Sequence, residues 1–208
     1  MAKLLYIESS PRKERSHSIK VANAFLNAYT QARPADSIDR LDLWAEDIPS
    51  FDGAMIDAKY AVMHGQEPNA DEQAAWAIVT EWANRFNAAD KYLISVPMWN
   101  FGIPYRLKQY IDVVTQPGLT WSFDPATGYS GLGSGKAVAV YSSAGVYHDG
   151  SGAEAMDLQK PTVENWLAFV GITDVQRVIV APTLATPEEV SKAGDDACAT
   201  AAAIAANF

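Results

Sequence analysis

The 208-residue sequence holds a single cysteine, Cys198, so no disulfide, paired-cysteine redox motif or cysteine-built zinc site can form within the chain. Its three histidines, His17, His64 and His148, form no HExxH or HxxxH array, and the reading contains no metal site. Basic residues are outnumbered, 16 Lys and Arg against 25 Asp and Glu. The resulting charge of −9 argues against nucleic acid or an anionic membrane as partner, because both gain affinity from a basic field. Long hydrophobic runs are missing too. The opening MAKLLYIES turns polar after Ile7, too soon for a signal peptide or a membrane span, and reads as a buried first strand. With no internal repeat, low-complexity linker or domain boundary, the expectation is one domain over residues 1–208, a small-molecule partner and a reducing cytoplasm.

What is present is the material of a packed core. Hydrophobic residues make up 49% of the chain and charged residues 20%. Apolar runs at Leu4 to Glu8, Ser37 to Leu43, Lys91 to Val96, Ala137 to Ser142 and Val175 to Ala181 read as strands, rich in Val, Ile, Leu or Tyr. Helical patterns alternate with them. Ala22, Phe25, Leu26 and Tyr29 make one stripe in Ser18 to Ala32, Trp76, Val79 and Ala83 another in Asp71 to Ala88, and Pro161 and Pro187 open the later helices. Pro104 is expected at the first position of a helix carrying Leu107, Tyr110 and Ile111. The alternation predicts the α/β class, a parallel sheet with helices on both faces. The long segment from Ala45 to Ala70 is read as a short helix and loop at a surface or interface, and the glycines 131, 133 and 135 as a flexible connection.

Ligands of open parallel sheets gather at the carboxyl ends of the strands where strand order reverses, which directs attention to the loops after the first, third and fourth strands. The first, Ser9 to Ser18, has hydroxyls and leads into a helix whose open amides favour an anion; in the plainer reading the serines only cap. It lacks glycine, so neither GxGxxG nor GxxxxGK[ST] is present. The second, Pro97-Met98-Trp99-Asn100-Phe101-Gly102-Ile103-Pro104, is aromatic where a turn would be polar. It could hold a flat ring with an imide-like edge, or merely close the sheet end. The third, Ser142 to Gly150, has small residues that let backbone approach a ligand, and His148 is more readily a solvated loop residue than a proton donor. A helix terminus contributes about 0.3 to 2 kcal/mol to anion binding, whereas micromolar affinity needs about 8 kcal/mol. Most of the affinity must therefore come from the aromatic loop. Phosphate at the first loop, a ring against the second and amides from the third together describe FMN.

With those loops in place, the chain resembles the FMN-dependent NADH-azoreductases of the flavodoxin-like quinone reductase superfamily. PMWNFGIPYRLKQYID is similar to the family segment P-M-[YW]-N-F-x-I-P-x-x-L-K-x-[YW]-x-D, and GLTWSF, SGKAVAVYSS and FVGITD follow in the family's order. The resemblance implies a flavodoxin-like three-layer fold with a five-stranded parallel sheet, order 2-1-3-4-5. It implies that Ser10, Ser16, His17 and Ser18 hold the FMN phosphate, that Pro97, Met98, Trp99, Asn100 and Phe101 line the ring, and that Ser142, Ala144 and Gly145 complete its border. It further implies a homodimer with active sites at the interface, with Trp121, Tyr129, Tyr147 and Phe169 as candidates for the acceptor pocket. His17 stands where relatives often have glutamine, Ala144-Gly145 where they have Gly-Gly, and Ser143 where arginine is common.

The implied activity passes electron pairs in ping-pong order from NADH or NADPH to quinones or azo compounds, with the chemistry on the flavin and no catalytic side chain. Two other readings compete with it. A flavodoxin-type FMN electron carrier without nicotinamide-dependent activity would suit the acidic charge but not the extra length and aromatic loops. A serine hydrolase would need GxSxG, which is absent.

Overall fold

The computed structural model describes residues 1–148 and 150–208; Asp149, in the third loop, lies outside the described residues. In chain order the elements are β1 (Lys3–Glu8), α1 (His17–Ala32), β2 (Ser37–Asp42), α2 (Gly53–Met63), α3 (Ala70–Asn87), β3 (Lys91–Pro97), α4 (Tyr105–Val114), β4 (Trp121–Asp124), β5 (Gly128–Gly131), β6 (Lys136–Ser142), α5 (Gln159–Phe169), β7 (Asp174–Val180) and α6 (Pro187–Asn207). Five strands form one sheet in the order β2-β1-β3-β6-β7, every neighbouring pair parallel. This is the expected order once the short β4-β5 hairpin, which the sequence reading did not anticipate, is set aside.

Helices cover both faces, so the central strands are apolar without alternation. Leu4 and Tyr6 of β1 face a cluster with Phe25, Tyr29 and Ala201 from α1 and α6, while Leu5 and Ile7 face one with Phe86, Leu107 and Val163 from α3, α4 and α5. The α1 stripe of Ala22, Phe25, Leu26 and Tyr29 is buried as expected. The edge strand β2 carries Asp39, Arg40 and Asp42, charges that disfavour pairing with another sheet edge.

Two local expectations change. Pro104 is the residue before α4, its N-cap, and not the first helical position. The glycines 131 and 133 are close-approach points and not flexible spacers: a Cβ on Gly131 would lie 2.2 Å from the Gly171 nitrogen, and one on Gly133 2.6 Å from the Val170 carbonyl oxygen. Gly135, at φ +106, packs as tightly on the Asp90 carbonyl. The segment between β2 and α3 does fold as a helix, α2, which packs Met55 and Ala58 on Ala75 and Val79 of α3. No helix among the described residues is long and apolar enough to cross a membrane.

Candidate functional site

At the carboxyl end of the sheet, β1 and β3 are sewn together by hydroxyls. The Tyr6 and Ser95 hydroxyls meet at 3.1 Å, and Ser9 Oγ donates to the Ser95 carbonyl at 2.6 Å. Burial pushes the Tyr6 pKa well above its ordinary value, so this phenol keeps its proton as part of the scaffold.

The loop after β1 is held in a fixed arch. Lys13, at φ 49, pairs with the buried Glu8 at 2.8 Å and with Asp42. Ser16 then caps α1, its hydroxyl accepting the Ile19 amide at 3.4 Å and meeting the Ser18 hydroxyl at 3.2 Å. Among the described residues, the amides of His17 and Ser18 have no hydrogen-bond partner. The first turns of α3 and α6 hold Asp71 and Glu72, and Glu188 and Glu189, whereas α1 has no acidic residue there. This end of α1 is therefore open to an external anion.

The loop after β3 turns sharply. Trp99 and Gly102 exchange both backbone hydrogen bonds at 3.0 Å, and the two residues between them, Asn100 and Phe101, have φ of 47 and 69. Positive φ at both central positions is the type I′ signature, natural for Asn but costing about 1 kcal/mol or more for Phe. Among the described residues neither central amide is bonded, and Phe101 is 41% exposed. The loop after β6 touches this one through the Met98 amide, which donates to the Ser142 carbonyl at 2.7 Å.

These loops enclose a cleft of about 180 Å³ lined by Ser10, Ser16, His17, Pro97, Met98, Trp99, Ser142 and Ala144. Ser18 is buried behind Ser16, Asn100 and Phe101 follow Trp99 in the turn without lining the cleft, and Gly145 folds back against the Tyr147 ring. Arg12, Ser143 and Thr183 also line the cleft. Thr183 follows β7 and donates its amide and hydroxyl to the Ser143 carbonyl at 3.0 and 3.1 Å. Nothing in its sequence context marked it. Trp44 was missed as well: its Nε1 donates to the Ser9 carbonyl at 2.9 Å while its ring packs on Trp99 at 5.8 Å and Tyr105 at 5.3 Å, tying the first loop to the second.

The acceptor candidates divide. Trp121, Tyr129 and Phe169 form one aromatic cluster, with centroids 5.5 to 5.8 Å apart, and Trp121 and Tyr129 line a cavity of about 500 Å³ with Val62 and Met63. Because α5 starts beside the cleft and ends at Phe169, roughly 16 Å of helix separates the two within one chain. Tyr147 belongs to the third loop itself, its ring beside Gly145.

The residues fit FMN on two grounds: open amides and hydroxyls at one end of the cleft, and an aromatic wall with unbonded turn amides at the other. At about 180 Å³ the cleft is smaller than a pocket that encloses a whole cofactor, so a bound ring would extend over the exposed turn. A phosphate bound beside His17 would make binding proton-linked. Burial and then Arg12 and Lys20 hold its pKa below the ordinary value, so the apo fold favours the neutral ring and loses stability as pH falls through about 6.5. A phosphate dianion beside it raises that pKa, so binding takes up a proton. FMN dissociation measured by fluorescence should tighten several-fold from about pH 8 to about pH 6.5, with a flatter profile in His17→Gln. Identical profiles would remove His17 from the phosphate end.

Comparison with known proteins extends the likeness over the whole fold. A family model described as Flavodoxin-like fold matches residues 2–204. The FMN-dependent NADH:quinone oxidoreductase of Desulfotalea psychrophila is 46% identical over 184 residues, 88% of this chain and 87% of that protein. A crystal structure of azoreductase from Bacillus anthracis str. Sterne superposes with TM-score 0.90 at 30% identity, covering both chains completely. An FMN-dependent NADH-azoreductase from Bacillus anthracis str. Ames Ancestor, solved in complex with FMN, superposes with TM-score 0.84 at 27% identity, covering 99% of this chain and 100% of that one.

Proposed function

This chain belongs to the flavodoxin-like fold family, and from that membership we propose that it is an FMN-dependent NADH:quinone oxidoreductase that also reduces azo compounds. The observation that carries the assignment is the convergence on one cleft of α1's open amides and the aromatic turn at the end of β3. The names of the relatives favour the reductase over a flavodoxin-type carrier.

When bound, FMN would supply two-electron chemistry between NADH and the acceptor. The chain supplies position. The Ser10 and Ser16 hydroxyls and the His17 and Ser18 amides form the phosphate end, with the Ser18 hydroxyl bracing Ser16 from behind and Arg12 adding positive charge. Met98 and Trp99 form the apolar border of the ring, and the Asn100 and Phe101 amides are donors for its polar edge. The ionisable side chains lining the cleft, Arg12 and His17, both lie at the phosphate end. Among the described residues no ionisable side chain lining the cleft stands beside the ring, so in this reading solvent supplies the protons of the reduced acceptor.

The reading includes a homodimer in the cytoplasm. Phe101 and Tyr105 are exposed beside the cleft, and the Trp121, Tyr129 and Phe169 cluster lies at the far end of the same chain. A second copy laying its cluster over the exposed turn would supply the missing wall for a flat acceptor; light scattering should give twice the chain mass. For the reaction, initial rates at varied NADH and benzoquinone should give parallel double-reciprocal lines. Absence of NADH oxidation by the FMN-loaded protein would leave the carrier reading in its place.

A further inference from the structure

Gln159, the first residue of α5, is 1% exposed, unusual for a primary amide at a helix start. Its Nε2 donates to the Val96 carbonyl at 2.8 Å and the Ser142 carbonyl at 3.4 Å. Val96 precedes the ring-holding loop, and Ser142 ends the strand that carries the third loop. The Ser142 carbonyl also accepts the Met98 amide. One residue back, the Leu158 amide donates to the Phe101 carbonyl at 2.9 Å. The start of α5 thus grips both ends of the loop, with Asp157 accepting the Gln159 amide at 3.0 Å and pairing with Lys160.

Pro97 gives the strand end no N–H of its own, and the turn beyond it holds Phe101 in the left-handed region. Such a conformation persists only where neighbouring groups over-determine it. We propose that Gln159 is a positioning residue, acting through Val96, Ser142 and the Trp99–Gly102 turn to hold the donors of that turn in register with the flavin ring. The inference rests on the FMN reading. A misplaced turn would weaken ring contacts and disturb the geometry of hydride transfer, which is sensitive to displacements of about 1 Å.

The test compares Gln159→Met, of similar length but without a donor, and Gln159→Glu, which turns a carboxylate toward two carbonyls. Val163→Ala, at a buried position of the same helix facing the core, serves as the control for lost stability. Folding is checked by circular dichroism and thermal unfolding. Both Gln159 variants should bind FMN about tenfold more weakly, shift the visible band of bound flavin and slow its reduction at saturating NADH by about tenfold, while Val163→Ala lowers the melting temperature without changing spectrum or rate. Parental spectra and rates in folded Gln159→Met or Gln159→Glu would overturn the inference, as would the same losses in Val163→Ala. A parental protein that takes up no FMN would overturn the functional reading and this inference with it. Parental binding beside an unaffected Gln159 variant would overturn the inference alone.

Discussion

Ser16→Asp should give a protein that folds at least as well as the parent and binds FMN at least about 100-fold more weakly. Ser16 caps α1, and Asp is an equally good cap whose charge complements a first turn that has no acid of its own. Thermal unfolding of the apo protein should therefore be unchanged or slightly raised. The same carboxylate would take the Ile19 amide that Ser16 already holds and the open Ser18 amide beside it, and would repel a phosphate dianion, a like-charge clash costing several kcal/mol. Riboflavin, which has no phosphate, should lose little affinity. Equal losses for FMN and riboflavin would mean that the phosphate does not sit at this helix end.

Gly131→Ala should have the largest effect on stability. The added methyl would meet the backbone of Val170 and Gly171 at 2.2 to 2.5 Å, and backbone cannot rotate away as a side chain can. Gly171 is itself at φ +100, with the Gly133 carbonyl oxygen 2.5 Å from where its Cβ would be, so the turn has no slack. The expected loss is about 3 kcal/mol, or a melting temperature lower by about 6 to 12 °C. A melting temperature unchanged from the parent would contradict the packing described for the hairpin.

These two predictions draw on parts of the chain that were unequally legible in the sequence. Parallel strands covered on both faces write themselves as unbroken apolar runs such as Leu4 to Ile7, and α1 showed its buried stripe, so sheet and helices could be read directly. The hairpin could not. Trp121–Asp124 and Gly128–Gly131 are four residues each, the alternation of Trp121-Ser122-Phe123-Asp124 is too short to mark a strand, and the glycines look like spacers until the turn they pack against is known. The loops proposed for phosphate and ring were legible because hydroxyls before a helix and aromatics after a strand are local signals. Trp44, Thr183 and Gln159 were not, because each reaches the site across the fold: Gln159 contacts a carbonyl 63 positions away. Asn100 advertises positive φ, but Phe101 does not, and only its pinned carbonyl explains how it is held there.

The most direct measurement is the visible spectrum of the FMN-loaded protein under anaerobic conditions, followed as NADH and then benzoquinone are added. The account predicts oxidised-flavin bands that bleach with NADH and return with the quinone. Bands that stay oxidised in excess NADH, or a protein that takes up no FMN at all, would contradict it.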